Sequence, residues 1–136
     1  MSQENVELVR AWFEAWNAGD RDFSIFHPNL VYHPRADEPD PSPHIGRDAF
    51  KRLLLGFVDA FAQTTNEVRE LIDSGDRVIA STVVHARMKG GGEVRDDYVF
   101  VLQIRDGLVV EGWEYRTKEE AMEAVGLSEQ DAHADS

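Results

Sequence analysis

From Arg105 to Leu127 the chain reads RDGLVVEGWEYRTKEEAMEAVGL, and this run constrains the fold more than any other. Asp106-Gly107 is a hairpin turn, because Asp-Gly accepts the positive φ values that a tight two-residue turn demands. Leu108 to Tyr115 follows as a strand, and Thr117 with Glu120 forms a capping box that starts a short helix. Gly126 ends that helix, with Leu127 beyond it as the apolar contact of a glycine C-cap. A hairpin feeding a last strand and a closing helix, behind a helical N-terminus, narrows the architecture and leaves the reaction open.

The N-terminal helix runs from Ser2 through Asn17. Val6, Val9, Phe13 and Trp16 share one face, and Leu8 and Trp12 widen the stripe. Ala18-Gly19 ends it, and Asp20 starts a short second helix around Phe23 to Phe26. Leu30 to His33 is a strand stopped by Pro34. Arg35 to Ile45, with Pro39, Pro41 and Pro43 among acids, is turn-rich and not regular structure. Arg47 to Phe61 is a helix that buries Phe50, Leu54, Phe57 and Phe61. Four strands follow, about Val68 to Asp73, Arg77 to Arg87, Val94 to Arg105 and Leu108 to Tyr115. Their short connections predict an antiparallel meander. Helices before and between strands, then a meander, place helices in the concave face of one curved sheet. The open end of such a cone is a small-molecule pocket.

With 136 residues, of which 42% are hydrophobic, the chain has one globular domain's worth of core. Acidic residues number 26 against 14 basic ones, a formal charge of −12. That balance repels phosphate backbones and anionic bilayers, so neither nucleic acid nor membrane is an expected partner. The absence of cysteine rules out disulfides and thiolate catalysis and fits a reducing compartment. No signal peptide is visible at MSQENVELVR and no apolar run approaches a bilayer span, so the expected location is the cytoplasm.

The runs VELVRAWFEAWNAGD, VYHP and RDGLVVEGWEYRTKEEAMEAVGL resemble SnoaL-like proteins of the nuclear transport factor 2-like superfamily. The resemblance spans about Glu4 to Leu127. It implies an α+β fold: a cone-shaped, curved antiparallel sheet, cystatin-like, wrapped around the N-terminal and central helices, with a short C-terminal helix. It implies one domain over residues 1–127, and 128–136 reads as a frayed polar tail. It also implies a homodimer through the outer sheet face, and two apolar faces on the strand from Val94 to Arg105 agree with that.

The enzymatic relatives supply tests for the site. Limonene epoxide hydrolases use an Arg-x-Asp pair and a last-strand Asp to activate water. Arg77-Val78-Ile79 keeps the arginine and lacks the carboxylate, while Glu114 stands for the last-strand acid. Ketosteroid isomerases use an Asp base and an oxyanion hole of Tyr and protonated Asp, and here His33, Trp12 and Val99 occupy those places. The resemblance therefore suggests His33 as base, Glu114 as a second acid–base group held by Arg77, and Asp97 as an alternative pocket carboxylate. Trp12, Trp16, Tyr32, Phe57 and His85 are the expected ligand-binding residues. Alternation puts His85 on the face of Arg77. On the strand from Val94, either Tyr98, Phe100 and Leu102 or Asp97, Val99 and Val101 can face inward, and the resemblance favours Asp97 and Val99.

Each residue also has a plainer role. His33 can hydrogen-bond backbone at a strand end, Glu114 can ion-pair with Arg77, and Asp97 can be a solvated strand end. The tryptophans and Phe57 can simply be core. His27, His33 and His44 lack metal-ligand spacing, so no metal is assigned, and the proline-rich loop reads as a lid. No phosphate loop and no cofactor motif is present. The expected function is cofactor-free acid–base chemistry (isomerisation, cyclisation or dehydration) on a small hydrophobic molecule. The alternative is a non-catalytic binding or sensing protein of the same fold.

Overall fold

The computed structural model describes residues 2–126. Its elements in chain order are α1 (Ser2–Asn17), β1 (Phe26–His33), β2 (His44–Ile45), α2 (Arg47–Asp59), β3 (Gln63–Ser74), β4 (Arg77–Arg87), β5 (Glu93–Arg105), β6 (Leu108–Tyr115) and α3 (Lys118–Val125). The expected tail from 128 onward, and Leu127 as a C-cap contact, lie outside the described residues.

The six strands form one curved, unclosed sheet in the order β2-β1-β6-β5-β4-β3. β3 to β6 are the antiparallel meander that their short turns require. Asp106 and Gly107 both take positive φ, 53° and 77°, which closes the β5–β6 hairpin. β1 departs from the expected all-antiparallel sheet. It runs parallel to β6, pairing Tyr32 with Gly112 and His33 with Trp113, so the sheet is mixed. The long excursion through β2 to β5 gives the chain room for that crossover.

The short helix around Phe23 to Phe26 does not form. The carboxylates of Asp20 and Asp22 accept the backbone N–H groups of Asp22 and Ser24 at 2.9 Å each, fixing turns instead. Phe26 then opens β1 against Val109. α2 ends at Asp59, so Phe61 lies beyond it, and Phe57 is 39% exposed rather than buried. β3 begins at Gln63, earlier than its apolar pattern suggests, because every residue from Gln63 to Val68 is paired with β4.

α1 packs on the concave face against β3 and β4, and α2 against β1. Val6, Val9, Phe13 and Trp16 of α1 are buried with Phe26, Leu30, Tyr32, Phe50, Val78, Leu102 and Val109 in the main core. A second, smaller core lies on the convex face, where Ala121 and Met122 of α3 cover Ile72, Ile79, Val99 and Val101. α3 is set by its caps. The Thr117 hydroxyl accepts the Glu120 N–H at 3.1 Å, and Gly126 takes φ 77°.

Candidate functional site

The concave face encloses a cavity of about 220 Å³. Trp12, Phe13 and Trp16 of α1, Phe26 and Tyr32 of β1, Phe50, Leu54 and Phe57 of α2, and Tyr98, Phe100 and Leu102 of β5 form most of its wall. The aromatic side chains meet edge to face or tilted, with Phe26–Phe50 ring centroids at 4.7 Å and Tyr32–Phe50 at 4.5 Å. Trp12 and Trp16 stack at 5.3 Å, one helical turn apart. The loop between β1 and β2 supplies Pro34, Glu38, Pro39 and Asp40, and β2 adds His44. Pro39 and Asp40 are exposed, so this wall is the open side of the cavity.

One carboxylate reaches the apolar wall from the sheet. Glu114 on β6 faces inward because it pairs with Phe100, two positions from the Leu102–Gly112 pair on the same face. The Tyr32 hydroxyl donates to Glu114 Oε2 at 2.6 Å, and the Arg35 backbone N–H donates to Oε1 at 3.2 Å. Both bonds favour the charged carboxylate, yet burial outweighs them and holds the Glu114 pKa above its ordinary value. Burial and the neighbouring Glu114 charge push the Tyr32 pKa well up, so Tyr32 stays a neutral phenol and a donor. The arrangement is a proton acceptor or donor of raised proton affinity, oriented by a phenol, at the wall of a mostly aromatic pocket.

Gly112 makes the contact geometrically available. A Cβ on Gly112 would lie 3.0 Å from Tyr32 Cδ1 and 3.3 Å from Leu102 Cδ2. The missing side chain lets the Tyr32 ring lie flat across β6 toward Glu114.

Behind the loop sits Arg35, which is 8% exposed. Its guanidinium lies 4.3 Å from the Tyr98 ring centroid. It donates to Asp96 Oδ2 at 3.2 Å, to the Asp97 carbonyl at 3.0 Å and to Asp37 Oδ2 at 3.3 Å. Its Nε is 3.1 Å from Asp37 Oδ1 in an ion pair. The Tyr98 hydroxyl donates to Glu38 Oε1 at 3.4 Å. Arg35 thus ties the proline-rich loop to β5 while its own backbone holds Glu114.

Several expected site residues lie elsewhere. His33 alternates with Tyr32 and falls on the convex face, opposite Glu114. Its Nε2 is 2.7 Å from Glu111 Oε2, and its ring stacks on Trp113 at 5.4 Å. Arg77 also lies on the convex face, 5.5 Å from the Trp113 ring, with β5 between its strand and Glu114, so the Arg77–Glu114 pair does not form. His85 is exposed and bonded to Glu67 at 2.9 Å. Asp97 is exposed, on the face opposite Tyr98. The inward face of β5 is Tyr98, Phe100 and Leu102, whereas Val99 and Val101 meet α3. Among the four strand residues expected to do chemistry, Glu114 alone reaches the cavity. Trp12, Trp16, Tyr32 and Phe57 line it.

The histidines of the possible metal cluster are spread over different tasks, with His27 Nδ1 accepting the Asn29 N–H, His33 on the convex face and His44 in the cavity wall. Sequence reading missed Arg35 and Gly112, gave Phe50 as a buried helix residue without a place at the site, and favoured the face of β5 opposite Tyr98. A glycine inside a strand was a usable signal of close approach. A buried arginine in an acidic loop had none, because Tyr98, Asp96 and the Asp97 carbonyl that meet it come from β5, in addition to Asp37 of its own loop.

An α+β cone enclosing an aromatic cavity, with one carboxylate reaching it from the sheet, defines the class. The chain belongs to the SnoaL-like domain family, which it matches over residues 9–112. Its fold is similar to that of Bal32a from a soil-derived mobile gene cassette, at 23% identity and TM-score 0.76 over 91% of this chain and 97% of that one. A SnoaL-like polyketide cyclase candidate from Jannaschia sp. CCS1 is similar at 19% identity and TM-score 0.73, covering 93% and 94%. AclR, a hydroxylase candidate from Streptomyces galilaeus, is similar at 24% identity and TM-score 0.71, covering 93% and 98%. No curated protein matches the sequence. Among the described residues no helix is long and apolar enough to cross a membrane.

Proposed function

We propose that this chain is a cofactor-free acid–base enzyme acting on a hydrophobic small molecule, with Glu114 as the proton-transferring group. The observation that carries the reading is the Glu114–Tyr32 pair, a half-buried carboxylate of raised proton affinity bonded to a buried phenol in an aromatic cavity. A carboxylate whose pKa moves toward neutrality works efficiently as a general base and, once protonated, as an acid. It would take a proton from an acidified C–H or O–H of the ligand. As the carboxylic acid it would return that proton to another carbon in isomerisation or cyclisation, or to a leaving hydroxyl in dehydration. Tyr32 keeps the carboxylate in one orientation through both halves. The three neighbours above include a cyclase candidate and a hydroxylase candidate, which agrees with a fold that hosts several chemistries.

One observation favours the second reading, a non-catalytic binding protein. The single Tyr32 proton is already given to Glu114, which leaves that phenol unavailable to an oxyanion. The test separates binding from turnover. Ligands found by thermal shift in a panel of ring ketones, lactones and enols are incubated with wild type and with Glu114→Gln, and products are followed by mass spectrometry. Loss of turnover by about 10²–10⁴-fold with binding retained is the expected result. Tight ligands recovered unchanged from wild type would establish the binding protein instead.

A further inference from the structure

The charge of the cavity wall selects among ligands. Three carboxylates line the cavity, Glu38, Asp40 and Glu114, and no lysine or arginine is among the described lining residues. Guanidiniums reach this wall from behind without lining it: Arg21 lies 4.0 Å from the Trp16 ring, Arg47 donates to the Phe26 carbonyl at 3.3 Å, and Arg35 lies 4.3 Å from the Tyr98 ring. The Nη atoms of Arg35 are engaged by Asp37, Asp96 and the Asp97 carbonyl, and its Nε, which makes no hydrogen bond, is buried out of a ligand's reach. Both tyrosine hydroxyls in the wall are also committed, Tyr32 to Glu114 and Tyr98 to Glu38. Thr64, Asn66 and His44 complete the polar lining with groups that can donate or accept, so the fixed charges among the described lining residues are carboxylates alone.

We infer that the cavity takes a ring compound bearing a positively charged, hydrogen-bond-donating amine, and that it rejects carboxylates and phosphates. The inference rests on the cavity being the ligand site, as in the function proposed above, and not on turnover. An anion here would meet three carboxylates with no lysine or arginine among the described lining residues, and near a protein surface that repulsion is stronger than in bulk water. An ammonium gains the Glu38 and Asp40 oxygens together with the rings of Trp12 and Phe57. The chain's formal charge of −12 reinforces the same potential, which a cleft concentrates.

The experiment uses three probes with one ring system, 2-naphthylmethylamine, 2-naphthalenemethanol and 2-naphthoate. Their Kd values are measured by tryptophan fluorescence and thermal shift at neutral pH and low salt. The amine is expected to bind about tenfold more tightly than the alcohol, about 1.4 kcal/mol, and the carboxylate not at all. The paired variant Glu38→Gln and Asp40→Asn should bring the amine to the level of the alcohol without weakening the alcohol. Asp59→Asn, an exposed acid at the end of α2 outside the wall, should leave the ranking unchanged. Equal affinity of amine and alcohol, no binding of the amine, binding of 2-naphthoate, or an equal loss from Asp59→Asn would each overturn the inference. Ranked binding without any turnover would count only against the enzymatic reading. Conversion of an anionic compound that requires Glu114 would overturn only the ligand class.

Discussion

Glu114 shows how one position is tuned by opposing effects. Burial raises its proton affinity, and the Tyr32 hydroxyl and Arg35 N–H lower it. Tyr32→Phe removes the phenol bond and leaves the burial, so the Glu114 pKa should climb further. Carboxyl ¹³C NMR of the labelled protein reads this directly, and a fall would refute the assignment. The raised pKa also sets a sign for stability. The contribution of Glu114 is complete below its ordinary value of 4.5 and is lost as pH rises through its higher folded value. The melting temperature of Glu114→Gln should therefore gain on wild type between acid and mildly alkaline pH. Gly112→Ala tests the contact that brings the pair together. Its Cβ meets a Tyr32 ring that is fully buried and cannot yield freely. A loss of about 1–3 kcal/mol in denaturant unfolding is expected, together with the Glu114 pKa change of Tyr32→Phe. An unchanged pKa would mean that the ring accommodates the methyl without releasing Glu114.

At the level of elements, the loop from Pro34 to Pro43 is rigid for a reason beyond its prolines. Arg35 joins it to β5 through Asp96 and the Asp97 carbonyl, and to itself through Asp37. Arg35→Met keeps the length of the side chain and removes those bonds, leaving Asp96 without its arginine and Asp37 with Arg116 at 3.7 Å. Amide exchange over residues 35–44 should accelerate, while exchange in β4 stays as in wild type; equal protection in both proteins would show that the prolines alone hold the loop. α2 contributes Phe50, which touches Phe26, Tyr32 and Phe23 at once. Phe50→Ala should cost about 3–5 kcal/mol of unfolding free energy, measurable by denaturant titration.

For the whole molecule, the sheet has two apolar faces, and each is covered differently. The concave one holds α1, α2 and the cavity, and the convex one is partly covered by α3. The Trp113 ring, His33 and Arg77 lie on the convex side and remain half-buried. We expect a homodimer to form over this surface, by the apolar-face argument together with the family resemblance. Sedimentation of wild type should give a dimer, and Trp113→Glu a folded monomer. A wild-type monomer would leave α3 as the whole cover of the convex face.

The sequence by itself determined the local structure: the Asp106-Gly107 turn, the Thr117 and Gly126 caps, the bounds of β4 and β6, and the apolar stripe of α1. Those features depend on φ preferences, capping chemistry and periodicity, all read within a few residues. Period-two alternation also fixed that His33 and Tyr32 point oppositely, and that Asp97 and Tyr98 do. Which member of each pair faces the cavity was decided by the tertiary structure. Both faces of β5 are apolar, and only the packing of α1 and α2 on one side and α3 on the other distinguishes them. The parallel pairing of β1 with β6 was equally out of reach, because it joins segments separated by most of the chain. That pairing is what sets Tyr32 beside Glu114 and turns His33 away from it, and so it decides which residues can share a reaction.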